Sequence, residues 1–221
     1  MAKSTILKEL ANNQVSTEIA LSRLMIIATD INNTELCDWA EKELNGYDKF
    51  NDLPSYRKIE APNLKYSGIN GSFQVTNQPL PLTWLSKETR EAINPVGFFE
   101  SISTMESIVN DADKQQRIRD LTFLAGEIQD NVGVSCLKIV QVFDLSYYRE
   151  VINKVRGKLL RIFIELDKSY GNLDDLDVSL ENKSEAEIDS VNSKLIRIVI
   201  DKSIHIGDGN KIEKSSINSG G

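Results

Sequence analysis

Apolar residues recur every three or four positions through the first 45 residues, and that rhythm predicts helices. A short helix over Thr5 to Ala11 stops at Asn12-Asn13, and Ser16 then caps a second. Ala20, Leu24, Ile27 and Ile31 form the stripe of that second helix, which closes at Asn32-Asn33. Asn33 or Thr34 caps a third, with Glu35 at its dipole-favoured first turn and Leu36, Ala40 and Leu44 spaced four apart. Gly46 stands where a helix ends in a left-handed residue, which sends Tyr47 back across the last turn. The loop between the second and third helices is so short that the two should pack antiparallel.

After Gly46 the pattern shifts to Pro, Gly, Asn and aromatic residues, the composition of strands and turns. Pro54 leads a predicted strand through Arg57. Asn70-Gly71 predicts a two-residue hairpin turn that sets Tyr66 opposite Val75 and Gly68 opposite Phe73, and Pro79 and Pro81 end that hairpin. Ser86 begins a short helix ended by Asn94-Pro95, and Ser103 with Glu106 reads as a capping box. Lys114 to Gln129 reads as a helix with Ile118, Leu121, Leu124 and Ile128 as its stripe, and Val134 to Phe143 as a strand. The longest helix runs from Ser146 to Tyr170, with Gly171 as its stop.

Beyond it the patterning changes in kind. Residues 172–194 are acidic and read as a linker, with a short helix over Ser184 to Asp189. In residues 195–221, Ile196, Ile198, Ile200, Ile204 and Ile206 share one parity, and Ile212 follows a Gly207 to Asn210 turn, so a strand or hairpin tail is predicted. A lone strand leaves backbone groups and an Ile row uncovered. It therefore either assembles with other copies of the chain or caps the Tyr66 to Val75 hairpin within one chain. Together these elements predict an α+β fold. A mainly helical N-terminal domain over 1–171 carries an inserted small antiparallel sheet and the long amphipathic helix, followed by the linker and the β tail.

A chain of 221 residues with a formal net charge of −7 argues against a protein that coats phosphate backbones. Lys154, Arg156, Lys158, Arg161 and Lys168 decorate the long helix, and a membrane or nucleic-acid face there is the alternative to a salt-bridged surface interrupted by Glu150, Glu165 and Asp167. Cys37 and Cys136 are far apart, as suits reduced thiols in a cytosolic protein, and no signal peptide or membrane span is visible. His205 is the sole histidine and has no triad neighbour. Two cysteines and one histidine do not make a zinc site, and neither glycine-rich nucleotide loop is present. Asp38, Glu41 and Glu43 read as a solvated carboxylate face. No catalytic residue, cofactor or metal is therefore expected.

The ordered set Trp39, Glu43, Asn45, Gly46 and Tyr47, followed by Pro54, Tyr56 and Arg57, resembles the signature of the AbiTii family of bacterial abortive-infection proteins. The resemblance is strongest from Glu18 to about Val109. It implies a role in stopping phage propagation at the cost of the infected cell, and it brings no catalytic set with it. Arg57 either pairs internally with Glu43 or Asp38, or binds a carboxylate ligand. The expected protein is a non-enzymatic sensing or binding module of antiphage defence, self-assembling through its tail and recognising a phage or host protein. Action on membrane or nucleic acid through the basic helix is the alternative.

Overall fold

The structure is a computed structural model that describes residues 3–60, 63–111, 116–176, 178, 180 and 183–200. It is α+β and mainly helical. Helices α1 (Thr5–Ala11), α2 (Thr17–Asp30) and α3 (Thr34–Asn45) follow the sequence reading, with Ser16 and Asn33 accepting the backbone N–H of Ile19 and Leu36 at their N-termini. Their apolar stripes turn onto one core organised around α7 (Ser146–Tyr170), where Val155, Leu159, Ile162 and Phe163 have no exposed surface. The spacing of those residues lays a continuous stripe along 25 residues of helix, long enough to gather α1, α2, α5 (Ile102–Asn110) and α8 (Glu185–Ile200) on its flanks.

Between α3 and α7 the chain builds the β layer. Strands β2 (Leu64–Asn70), β3 (Phe73–Pro79), β5 (Gln116–Asp120) and β6 (Ser135–Asp144) form an antiparallel sheet in the order β3-β2-β6-β5. A separate antiparallel pair joins β1 (Lys58–Ile59) to β4 (Val96–Gly97). One face of the larger sheet buries Tyr66, Ile139 and Leu64 against Leu121, Ile128 and Leu85, a second core distinct from the helical one. Helices α4 (Lys87–Ile93) and α6 (Ala125–Val132) flank it, Ser86 capping the first through Thr89 N–H. Gly171 ends α7 at φ +88°.

Several elements differ from the sequence reading, each for a local reason. Ser55–Arg57 is a 3₁₀ turn rather than a strand, because it must bring Tyr56 and Arg57 back onto α3. The hairpin pairs Asn70 with Phe73 and Gly68 with Val75, so the turn is Gly71-Ser72, and a register shift between Tyr66 and Gly68 sets Tyr66 opposite Gln78. Helix α5 (Ile102–Asn110) is capped by Ser101, not Ser103, and Glu106 reaches instead to the hydroxyl of Thr17. Within the predicted 114–129 helix, the described residues 116–129 form β5, a 3₁₀ turn and part of α6. Leu121, Leu124 and Ile128 keep their helical spacing and stay buried, whereas Ile118 faces outward on the strand.

The largest correction lies at the C-terminal side. The stretch read as a linker seats Leu173 and Val178 in the helical core, and α8 runs over Glu185–Ile200. Ser184 and Glu187 form a reciprocal capping box at its start, each accepting the other's backbone N–H. Val191, Leu195 and Val199, four apart, are its buried stripe, so the period-four pattern prevails over the period-two row of isoleucines. Ile196 and Ile198 are half-buried on that helix and Ile200 is exposed, which removes the strand expected there. Ile204, His205, Ile206, Ile212 and the turn between them lie outside the described residues.

Candidate functional site

Helix α3 delivers Trp39 and Glu43 to the same side of one helical turn, four residues apart, and then stops. Gly46 makes the stop at φ +94° and ψ −177°, a conformation open essentially to glycine alone. A side chain there would place its Cβ 2.6 Å from the carbonyl oxygen of Phe99. The turn carries Tyr47 back along α3, as expected, and its N–H donates to that same carbonyl at 2.9 Å.

Three side chains then close on Glu43, and a fourth, Trp39, on one of those three. Tyr47 and Tyr56 donate their hydroxyls to Oε1 at 2.8 and 2.7 Å. Arg57 engages both carboxylate oxygens, Nη2 to Oε2 at 2.6 Å and Nε to Oε1 at 3.3 Å, the paired geometry that a planar guanidinium favours. Trp39 donates its indole N–H to the Tyr56 oxygen at 2.9 Å. The Arg57 guanidinium also lies over the Tyr47 ring, 4.9 Å from its centre. Neither Arg57 nor Glu43 has any exposed side-chain surface.

The remaining donor of Arg57, Nη1, reaches the carbonyls of Phe98 at 3.1 Å and Glu100 at 2.8 Å, while Phe98 N–H returns to the Arg57 carbonyl. The signature thus fastens three pieces of chain, α3, the Ser55–Arg57 turn and the 98–100 segment. Charge explains why they hold together: a buried carboxylate is tolerable only when paired and hydrogen-bonded, and here every donor needed is supplied.

Its chemistry is that of a joint. Burial, followed by the neighbouring Glu43 carboxylate, pushes the Tyr47 and Tyr56 phenols well above their ordinary range, so both remain protonated donors. A guanidinium is no general base, and the carboxylate oxygen facing the tyrosines already accepts three hydrogen bonds.

The other signature residues are placed differently. Asn45 is exposed, and half-buried Pro54 lines a shallow groove of about 340 Å³ with Trp39, Tyr47 and Val199. Asp38 and Glu41 lie on the solvated face of α3, but Glu43, grouped with them in the sequence reading, is fully buried. The basic set on α7 is divided as well. Lys158 is buried and donates to the carbonyls of Ile198 and Val199, and Arg156 donates to those of Leu10 and Val15, leaving Lys154, Arg161 and Lys168 on the surface. Cys37 and Cys136 are unbonded.

The sequence reading missed a second polar cluster. Glu100 Oε1 accepts from Arg117 at 3.3 Å and from the Tyr148 hydroxyl at 3.1 Å. Three residues so far apart in sequence leave no spacing signal, since only the β5 pairing and the docking of α7 bring them together. Among the described residues no group of three His, Cys, Asp or Glu side chains is placed to hold a metal, and no helix is long and apolar enough to cross a membrane.

Compared with known proteins, the chain matches the family model AbiTii over residues 4–192. No curated protein matches it, and no solved structure does.

Proposed function

Because the chain belongs to the AbiTii family, which is one of abortive infection and phage defence, we propose that it serves that defence as a binding module whose signature builds the fold instead of performing chemistry. One observation carries this reading: the signature's charged and hydroxyl groups are buried and spent on one another and on the carbonyls of Phe98 and Glu100. A residue set spent on an internal joint leaves recognition to the surfaces the joint positions.

Purified protein is therefore expected to leave added DNA and RNA intact and to release no dye from anionic vesicles. Nuclease activity lost on Glu43→Gln would contradict the reading. The inward-turned Arg156 and Lys158 also weigh against a continuous basic face on α7. Self-assembly through the residues beyond Ile200 is a separate part of the proposal, supported by the Ile204, Ile206 and Ile212 pattern. Light scattering on the full chain against one ending at Ile200 tests it, and equal monomeric masses would refute it.

A further inference from the structure

The 98–100 segment that the signature fastens is also one wall of a cavity of about 400 Å³. Its opposite side is β5. Arg117 and Arg119, two apart on that strand, project from the same face, and both line the cavity. Arg117 is drawn toward Glu100, whose carboxylate oxygen also takes the Tyr148 hydroxyl. Arg119 has neither an ion pair nor a hydrogen bond among the described residues. The aromatic lining is Phe99 of the wall, exposed, and Phe143, buried and paired with Arg117 across the β5–β6 ladder.

We propose that this cavity is a binding site for a small organic anion with a flat apolar body, its carboxylate or phosphate held by Arg119 with the Arg117 charge beside it and its ring set against Phe99 and Phe143. The proposal deepens the binding-module reading by naming a ligand class. The volume is that of a small-molecule site, and the lining has the usual composition of such sites, mostly apolar with a few convergent polar groups. Two guanidiniums provide forked donors for an anion, and a guanidinium without a carboxylate partner is the one available to a ligand. Glu100 does not spoil the site, because its charge is already met by Arg117 and Tyr148.

The arrangement also gives the signature a purpose. A Cβ at Gly97 would lie 2.4 Å from Leu53 Cδ1, so that side chain would have to shift, and Gly46 has no room against the Phe99 carbonyl. Arg57 and Tyr47 then hold the carbonyls of Phe98, Phe99 and Glu100, so the cavity wall is shaped from behind by the family's signature residues. These are positioning residues. Only Arg117, Arg119 and the aromatic wall would touch the ligand.

The test is a titration of full-length protein by amide NMR with four probes: 5′-AMP, indole-3-acetate, inorganic phosphate and a short acidic peptide. The expected result is submillimolar binding of 5′-AMP or indole-3-acetate that moves the amides of residues 97–100 and 116–120. Phosphate should bind at least tenfold more weakly than the ring-bearing probe. Arg119→Ala should weaken that probe roughly tenfold to a hundredfold, as loss of a charge-assisted hydrogen bond does, and Arg119→Glu should abolish binding with melting unchanged. Which of the two ring-bearing probes binds distinguishes phosphate from carboxylate as the anion.

The proposal is overturned if no probe binds at millimolar concentration, if phosphate binds as well as the ring-bearing anions, if only the peptide binds, or if Arg119→Glu binds like the wild type. A flat titration would remove this site yet leave the binding-module reading standing. Nuclease or leakage activity would remove that reading whatever the titration shows.

Discussion

Breaking the Glu43–Arg57 pair from one side should come close to unfolding the protein. Both side chains are fully buried and lie 2.6 Å apart. Deleting one partner of such a pair leaves the other as an uncompensated buried charge, a cost of about 3–5 kcal/mol, against a total stability on the order of 5–15 kcal/mol. Arg57→Met also strands the Phe98 and Glu100 carbonyls, and Glu43→Leu strands the two tyrosine hydroxyls. In the double variant no buried charge is left, and the remaining cost is that of unmet neutral groups. It should therefore be about as unstable as the worse single variant, with a coupling energy on the order of 3 kcal/mol. Urea unfolding followed by tryptophan fluorescence measures this directly, since one of the two tryptophans, Trp39, is tied into the joint. Single costs below about 1 kcal/mol that simply add would refute the argument and return Arg57 to the role of a ligand-binding cation.

Three further outcomes follow from the same geometry. Gly46→Val should cost about 1–3 kcal/mol from the backbone alone, and more from the approach to the Phe99 carbonyl, with the loss read as a lower urea midpoint. For Asp167, burial raises the pKa, but hydrogen bonds from Lys3 and from the Ser4 hydroxyl and N–H together with the Lys3 charge outweigh it, so the carboxyl is held below its ordinary value. A lowered folded pKa stabilises above the unfolded value and is lost as pH falls through the folded one, so Asp167→Asn should be less stable than wild type at pH 7, with the gap closing below about pH 4. Cys136 is buried and its thiol is pushed up by burial, so at pH 7.5 a thiol reagent should label half-buried Cys37 first in native protein and both at equal rate in urea.

What was legible in the sequence was what the chain settles locally. Caps at Ser16, Asn33 and Ser86, the Gly46 and Gly171 stops and the long stripe of α7 all rest on neighbours within a few residues, and all are found in the fold. The Glu43–Arg57 pair was legible only as one of two pairings, Arg57 with Glu43 or with Asp38, since both carboxylates lie on α3 and only the docked turn selects between them. Where tertiary pairing decided, the reading failed. Gln116–Asp120 is a strand because β6 offers it an edge, and the isoleucines at 196, 198 and 200 ride on a helix because Val191, Leu195 and Val199 find the α7 core. The Glu100–Arg117–Tyr148 cluster was illegible for the same reason. Its members meet only once the sheet and α7 have docked.

Amide hydrogen exchange in wild type and in Arg57→Lys tests the central claim, that the signature is a joint holding the 98–100 segment against α3. Lysine keeps the charge but cannot span both Glu43 oxygens and both carbonyls. The amides of Tyr47 and Phe98, which bond to the Phe99 and Arg57 carbonyls, should exchange at least tenfold faster in the variant, while those of α2 and the middle of α7 stay protected. Unchanged protection at Tyr47 and Phe98 in a folded Arg57→Lys protein would contradict it.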